Sequence, residues 1–466
     1  MKTVMTEPTQ AIAEFIHSSS VSDFPDNAIE KSKKIIFDTV AVILAGANSE
    51  VTEPLLAYLR MTGESGDSPV IGTAERCSAE MAALINGTFG HALDFDDVLS
   101  MMPAHPSAII LAALLADLPR HPLSGKALIE AHVVGVEVGG KIGLGITNGH
   151  YRRGFHGTGT LGIFCGVAAL AKAWRLKPET IQTAFGIAAS MASGLRRNFG
   201  TMTKPLHTGW AARSALAAVR LAMSGFTAAP DILEAKSGFF AAYGVDKSSI
   251  TTTVEGLGQP WVITDPGIAL KKFPCCYATH RGMDGILVLR EKHGFTATDI
   301  VRADCRMPPG SMQVLTYDQP KTGLEAKFSM QYAITAGIVD GRYSLSSFID
   351  DAVHRPAIQE MMKRVRAFED PACRGDDPLF ETRSFGSRGF VDVDIELRNG
   401  VRDTVRIHKP PGHPSRELSW GDLEHKFRDC ATQTGTDARH ADSAIAALKT
   451  LETQASVADL VGLLLR

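Results

Sequence analysis

The chain has 466 residues, longer than one hydrophobic core usually supports, so we expect two domains. It carries 48 basic and 51 acidic residues, and this near balance argues against nucleic acid or an anionic membrane surface as a partner. Its apolar runs are too short to cross a bilayer, and its start lacks the apolar core of a secretory signal. We therefore expect a cytoplasmic protein without a membrane partner.

The seven cysteines are scattered, and none forms a CxxC pair. This pattern disfavours a zinc knuckle or an iron–sulfur cluster built on such pairs. The sequence therefore predicts free thiols and no metal site.

Residues 9–245 are predicted to form one helix after another. Segment 28–45 has apolar residues at helical spacing, follows Pro25 and Asp26, and ends before Gly46. Later segments are rich in Ala and Gly with few charges, which is typical of buried helices in close contact. They are 79–93, 107–118, 125–144, 159–174, 180–195 and 208–224.

The pattern changes near Gln259. Residues 300–307 alternate as a strand does, and 390–408 alternates on both sides of Asn399-Gly400, which predicts a β-hairpin. Helical patterns return after this hairpin. The predicted fold is mainly α, a large all-helical domain built from both chain ends with a smaller α+β lid domain inserted. The predicted limits are 1–265 and 411–466 for the helical domain and 266–410 for the lid.

Two polar stretches of the helical half could carry chemistry. His91 and Asp94 share a helical face, with His105 following, and carboxylates beside a histidine can hold it in one tautomer. A solvated helix end or a metal site is the alternative. Farther along, Arg153 and His156 lie in a Gly-rich connection before an apolar helix, where anions bind well. We expect His156 to titrate near neutral pH; an ordinary polar loop is the alternative.

A third stretch runs from Arg196 through Lys204 to His207, between two apolar helices. Desolvation there would lower the pKa of the lysine and make it a base or an anion clamp, unless it is simply solvated. A fourth stretch contains Lys271, Cys276 and His280 and lies where the helical pattern gives way to the α+β pattern. Ligand clefts are often found at such junctions between domains. Tyr332 is a candidate donor to substrate, because a buried hydroxyl needs a partner.

Six stretches in this order resemble the MmgE/PrpD family: NGTFGHALDFDD, HPSA, GFHGTGTLG, NFGTMTKPLHTGWAARSALAA, KKFPCCYATH and EAKFSMQYA. The resemblance implies a homodimer with an active cleft between the domains, no metal or organic cofactor, and a small di- or tricarboxylic acid as substrate. We predict as catalytic residues His156, Lys204, Tyr151, Asp94 and His105. We predict as substrate-binding residues Lys271, Tyr332, Arg153, Arg196, Cys276 and His280.

The family's reactions pass close to a carbanion or enediolate beside a carboxylate, which cationic donors must stabilise. We expect Lys204 and Lys271 to clamp carboxylates, and Asp94 to orient His105. Epimerisation needs acid–base groups on both faces of the carbon, for which His156 with Tyr151 or Lys204 is the predicted pair.

Length and two of the stretches are most similar to iminodisuccinate epimerases, and the decarboxylase branch has histidine where this chain has Cys276. The predicted function is therefore a cofactor-independent epimerase acting at the Cα of an imino- or aminodicarboxylate. The first alternative is a hydro-lyase or decarboxylase on a citrate-like acid, of the 2-methylcitrate dehydratase or cis-aconitate decarboxylase type. A non-catalytic binding protein is the remote alternative.

Overall fold

A computed structural model describes residues 7–245, 248–378, 380, 384 and 386–465. Helix accounts for 57% and strand for 8%, so the predicted mainly α fold is confirmed. The chain forms two compact units. Unit 1 comprises the chain up to Arg197, Thr203–Leu270 and the chain from Ser419, and unit 2 comprises Asn198–Met202 and Lys271–Leu418. The sequence placed the divisions after residues 265 and 410, and these domain limits stay a prediction.

The first part of unit 1 is helical apart from one short antiparallel ladder, β1 (Ser68–Pro69) with β2 (Arg76–Cys77). Its helices are α1 (Pro8–Ser18), α2 (Ala28–Gly46), α3 (Thr52–Thr62), α4 (Ala79–Ala92), α5 (Pro106–Ala116), α6 (Gly125–Arg152), α7 (Gly157–Thr160), α8 (Gly162–Ala173), α9 (Pro178–Met191), α10 (Thr203–Met223), α11 (Phe239–Tyr243) and α12 (Ile250–Glu255). Every residue of α5 is buried, so this apolar helix lies inside the unit.

Unit 2 contains a four-stranded sheet in the order β4-β3-β5-β6, in which β3 and β4 are parallel and the other pairs antiparallel. The strands are β3 (Ile300–Met307), β4 (Val365–Glu369), β5 (Val391–Leu397) and β6 (Arg402–Ile407). The hairpin predicted at Asn399-Gly400 is confirmed as the β5–β6 turn. The helices are α13 (His280–His293), α14 (Gly323–Ala326), α15 (Met330–Asp340), α16 (Asp350–Val353) and α17 (Pro356–Met362).

The C-terminal part returns to unit 1 as helices α18 (Trp420–Gln433), α19 (Ala438–Lys449) and α20 (Val457–Gly462). Aromatic rings join α18 to α2. The Phe37 ring centroid lies 5.2 Å from that of Phe427 and 5.4 Å from that of Trp420. Among the described residues, no helix combines the length and hydrophobicity that a bilayer crossing requires.

Helices α4 and α10 touch backbone to backbone through glycines. A Cβ atom added to Gly87 would lie 2.8 Å from the Cα of Gly209, and one added to Gly209 would lie 2.0 Å from the carbonyl oxygen of Leu84. Small residues are what allow such close approach. This contact matters for function because α4 carries His91 and α10 carries Lys204.

Replacing Gly209 with alanine should force α4 and α10 apart. Overpacking of this kind costs about 1–3 kcal/mol, so the free energy of unfolding should fall by that amount in urea titrations. The matched control is Gly421→Ala on the exposed side of α18, where the nearest atom to an added Cβ is 3.7 Å away. The control should be neutral or stabilising by up to about 1 kcal/mol, since alanine favours helix. Equal effects of the two changes would contradict the close contact.

Candidate active site

The connection between α4 and α5 brings several polar groups together. His91 lies in the last turn of α4, and His105 precedes the first residue of α5. Between them, Asp94 has a φ of 49°, in the left-handed region that aspartate enters more readily than most residues. The chain reverses here, so that the rings of His91 and His105 lie 4.3 Å apart between centroids.

Lys204, in the first turn of α10, fixes the proton position on His91. Its Nζ atom lies 2.8 Å from Asp94 Oδ2 and 2.8 Å from His91 Nε2. An ammonium group only donates, so His91 Nε2 must accept. The other ring nitrogen, Nδ1, lies 2.9 Å from both carboxylate oxygens of Asp96 and donates to them. His91 is therefore a neutral ring that bridges a lysine and a carboxylate, and its side chain and that of Asp96 are fully buried.

His105 is oriented by main-chain and side-chain acceptors on one edge. Its Nδ1 atom lies 2.6 Å from the carbonyl oxygen of Asp97 and 3.5 Å from Asp96 Oδ1. A carbonyl only accepts, so Nδ1 carries the hydrogen and the neutral ring has its lone pair on Nε2. The His105 side chain is 13% exposed, against 0% for Asp96. This geometry suits His105 for proton transfer.

His156 and His207 form a buried pair, with their Nδ1 atoms 2.9 Å apart. Burial, and then the positive charges of His207 and Lys204, hold the pKa of His156 well below its ordinary value. Burial and Lys204 likewise lower the pKa of His207 to about 4. The expectation that His156 titrates near neutral pH is therefore wrong, because the ring is desolvated and lies near the Lys204 ammonium. At neutral pH both rings are uncharged.

Asp97 begins a buried chain of hydrogen bonds behind the site. Its carboxyl group accepts from the Ser107 hydroxyl, and Ser107 Oγ lies 2.9 Å from His132 Nε2. His132 Nδ1 lies 2.8 Å from Ser32 Oγ. Burial raises the pKa of Asp97 to about 8 and lowers the pKa of His132 to about 3. Both groups are thus largely neutral at pH 7, which suits an interior without counter-charges.

Four of the predicted catalytic residues come together in this site: Asp94, His105, His156 and Lys204. The Asp94 carboxylate pairs with Lys204, and Asp96 and the carbonyl of Asp97 lie beside His105. The orientation of His105 by Asp94 stays a prediction. His91 and His207 belong to stretches that the sequence singled out, but neither was among the predicted catalytic or binding residues. The signal for His207 was its spacing, since it lies one helical turn after Lys204 on α10.

The other predicted residues of unit 1 are Tyr151, Arg153 and Arg196, and they contact one another or the main chain. The Arg196 guanidinium lies 4.1 Å from the Tyr151 ring centroid and donates to the Tyr151 carbonyl at 2.9 Å. Arg153 donates to the carbonyl of Gly244 at 2.8 Å. These contacts fix the side chains on the protein's own backbone. The catalytic role of Tyr151 and the substrate-binding roles of the two arginines stay predictions.

The remaining predicted binding residues belong to unit 2 and are buried there. The Tyr332 hydroxyl donates to the carbonyl of Ser347, and its ring packs in an apolar cluster beside Phe348. That bond gives the hydroxyl a partner within the protein, which argues against the predicted donation to substrate. Lys271 and His280 have no exposed surface, and Cys276 is 9% exposed. Binding roles for these three residues stay predictions.

Four side chains of the site have donor atoms of the kind that bind cations. His91, Asp94, Asp96 and His105 each offer one such atom, and these atoms all lie within 4.8 Å of one another. Two of the four, Asp94 and His91, hydrogen-bond the Lys204 ammonium. A bound metal ion would have to compete with this internal cation for the same atoms.

Comparisons with known proteins identify the family of this chain. The MmgE/PrpD N-terminal domain matches residues 10–250, and the MmgE/PrpD C-terminal domain matches residues 273–450. The chain belongs to the MmgE/PrpD family. The resemblance inferred from the six sequence stretches is thus confirmed at the level of the family.

Relatives from three organisms are similar to this chain over most of its length. The chain is 31% identical to cis-aconitate decarboxylase of Mus musculus, over 91% of this chain and 87% of that protein. It is 25% identical to cis-aconitate decarboxylase of Aspergillus terreus, over 92% and 90%. It is 25% identical to 2-methylcitrate dehydratase of Salmonella typhimurium, over 74% of each chain.

The predicted epimerase function is wrong, because these relatives are named as decarboxylases and dehydratases. The alternative of a hydro-lyase or decarboxylase is the one that the comparisons favour. The resemblance to iminodisuccinate epimerases, drawn from length and two stretches, has no support among the relatives found.

The raised pKa of Asp97 predicts how stability depends on pH. Between the ordinary value of 3.8 and the folded value of about 8, the folded protein holds one proton more than the unfolded chain. The stability that this proton contributes is complete below pH 4 and is lost as the pH rises towards 8. Asp97→Asn removes this dependence. From pH 5 to 8 the wild-type protein should lose stability relative to the variant, by at most about 1.4 kcal/mol per pH unit.

Urea titrations of both proteins at several pH values measure this difference. Asp429→Asn, at an exposed position of α18, is the control and should follow the wild-type protein. A difference between wild type and Asp97→Asn that stays constant from pH 5 to 8 would mean that Asp97 is ionised in the folded state.

Proposed function

We propose that this protein is a lyase that acts on a small citrate-like tricarboxylic acid and breaks a bond next to a carboxylate. Decarboxylation of cis-aconitate, or of a close analogue, is the reaction we favour. The observation that carries the proposal is the Lys204 ammonium, held by Asp94 and His91 beside the partly exposed ring of His105. The decarboxylase relatives, similar over about nine-tenths of the chain, support it.

Lys204 supplies the charge that such a substrate needs. A tricarboxylic acid is strongly anionic at neutral pH, and a buried ammonium attracts it more strongly than a solvated one does. Because Asp94 holds Lys204 in place, the cation is preorganised before substrate binds. We assign to Lys204 the stabilisation of negative charge on the substrate carboxylate nearest the reacting carbon.

His105 is the group we assign to proton transfer. When the substrate's C–C bond to a carboxylate breaks, carbon dioxide leaves and the electron pair remains on the substrate as a carbanion conjugated with the neighbouring carboxylate. One proton must then be added to carbon. His105 in its imidazolium form can deliver this proton from Nε2 and regain one from solvent, because its side chain is 13% exposed.

Dehydration is the second candidate. The dehydratase relative supports it. In this reaction His105 removes the proton from the carbon next to the carboxylate, and the C–H electron pair forms the double bond. The hydroxyl group on the adjacent carbon takes up a proton and leaves as water. Both reactions use the Lys204 ammonium and the His105 imidazole. They differ in the group that leaves, which is carbon dioxide in one and water in the other.

Product analysis distinguishes the two reactions. Purified protein is incubated separately with cis-aconitate and with 2-methylcitrate, and NMR follows the products. We expect carbon dioxide and an unsaturated dicarboxylic acid from cis-aconitate. An alkene formed from 2-methylcitrate, without carbon dioxide, would select dehydration instead. Turnover of neither acid by folded protein would overturn the proposal.

His105→Gln should lower kcat/KM by about 10²- to 10⁴-fold, because a positioned acid–base group contributes that much. The protein should still fold, since the partners of His105 are a main-chain carbonyl and a carboxylate already paired with His91. The control is His121→Gln, a histidine in the connection between α5 and α6 that pairs with Asp117 and stacks on Trp174. The control should keep nearly full activity. A His105 variant as active as the control would remove His105 from the mechanism.

Chelators test whether the reaction depends on a metal ion. We expect prolonged dialysis against EDTA to leave kcat unchanged, because the Lys204 ammonium already supplies the positive charge at Asp94 and His91. Activity is measured before and after dialysis, with metal analysis of both samples. A loss that only an added divalent cation restores would contradict this prediction.

A further inference from the structure

Lys426, on the C-terminal helix α18, reaches the active-site loop from the far end of the chain. Its Nζ atom lies 2.9 Å from the carbonyl oxygen of Phe95 and 2.7 Å from Asp38 Oδ1 on α2. It also lies 3.7 Å from the centroid of the Phe95 ring. The Lys426 side chain is 7% exposed and that of Asp38 is fully buried. One ammonium therefore joins α18, α2 and the loop.

The loop needs such support because of its conformation. Phe95 follows Asp94, whose φ of 49° is unfavourable for most residues, and precedes Asp96. Backbone conformations of this kind persist only where the surroundings determine them at several points. The two aspartates must face different partners, since Asp94 binds Lys204 and Asp96 binds His91. A rotation of the peptide at Phe95 would turn one of them away.

Lys426 holds Phe95 in two ways at once. The hydrogen bond fixes the direction of the carbonyl, and the contact between cation and ring fixes the side chain. The charge on Lys426 is itself balanced by Asp38, so the ammonium is held rigidly in the interior. The direction of Phe95 is thereby set by a residue more than 300 positions later in the sequence.

We propose that Lys426 is a positioning residue for the reaction, which holds the loop from Asp94 to Asp97 so that Asp94 meets Lys204 and Asp96 meets His91. Lys426 does not act on the substrate. The expected effect of Lys426 on the reaction rate rests on the proposed lyase function. Its effect on the loop can be measured without any substrate. The active site thus requires the C-terminal return of the chain as well as the N-terminal helices.

Lys33 offers a matched control. It is a buried lysine on α2, its side chain is 9% exposed, and its ammonium lies 3.0 Å from Glu452 of the C-terminal return. It also pairs with Glu30 on its own helix at 3.4 Å. Lys33 thus joins the same two parts of unit 1 through an ion pair in which the lysine is buried and Glu452 is 38% exposed. Its paired groups belong to α2 and to the return, and neither belongs to the loop.

Lys426→Met and Lys33→Met are compared by kinetics and by hydrogen–deuterium exchange of peptides covering residues 90–105. We expect Lys426→Met to lower kcat by about 10- to 100-fold with little change in KM, because a small misplacement of reacting groups costs that much. The rate of hydrogen–deuterium exchange in the peptides covering residues 90–105 should rise by at least an order of magnitude relative to the rest of unit 1. Lys33→Met should lower the melting temperature but leave kcat and the exchange of residues 90–105 unchanged.

Phe95→Leu covers the case in which Lys426→Met fails to fold. It keeps the Lys426–Asp38 ion pair and the main-chain carbonyl but removes the aromatic ring. It should lower kcat by a smaller factor and raise exchange in the same peptide. The proposal would be overturned if the Lys426→Met variant folds and keeps the kcat and the exchange rate of the wild-type protein. The same result for Phe95→Leu would also overturn it. If the wild-type protein turns over neither acid, the lyase assignment fails, and the exchange comparison still decides the role of Lys426.

Discussion

The buried ammonium of Lys204 is the interaction on which the rest of the site depends. It lies 2.8 Å from a carboxylate oxygen of Asp94 and from a ring nitrogen of His91. These two bonds determine the tautomer of His91, and through it the bond to Asp96. A charge removed from water needs such partners, and the loop between α4 and α5 supplies them. The positive charge that can meet an anionic substrate is thus fixed before the substrate arrives.

The groups around this cation are mostly neutral, and burial is the reason. It lowers the pKa of His156 and His207 and raises that of Asp97. The Asp94 carboxylate partly offsets the charge of Lys204, whereas the neutral histidines neither add to that charge nor cancel it. His105 differs from these groups because its side chain retains contact with solvent, which a residue that exchanges protons requires.

Packing brings these residues to one place from four parts of the sequence. Glycines let α4 and α10 touch, so that His91 and Lys204 are within hydrogen-bonding distance. Helix α18 then reaches the loop through Lys426.

The sequence by itself determined the mainly α fold, the β5–β6 hairpin at Asn399-Gly400 and the membership of the family, because helical spacing, turn chemistry and motif order are local properties. It also indicated Lys204 and His105. Only the tertiary structure decided that Asp94 pairs with Lys204, and that burial keeps His156 neutral. Hydrogen-bond partners and desolvation depend on residues that lie far apart in the sequence, and no local pattern records which of them meet.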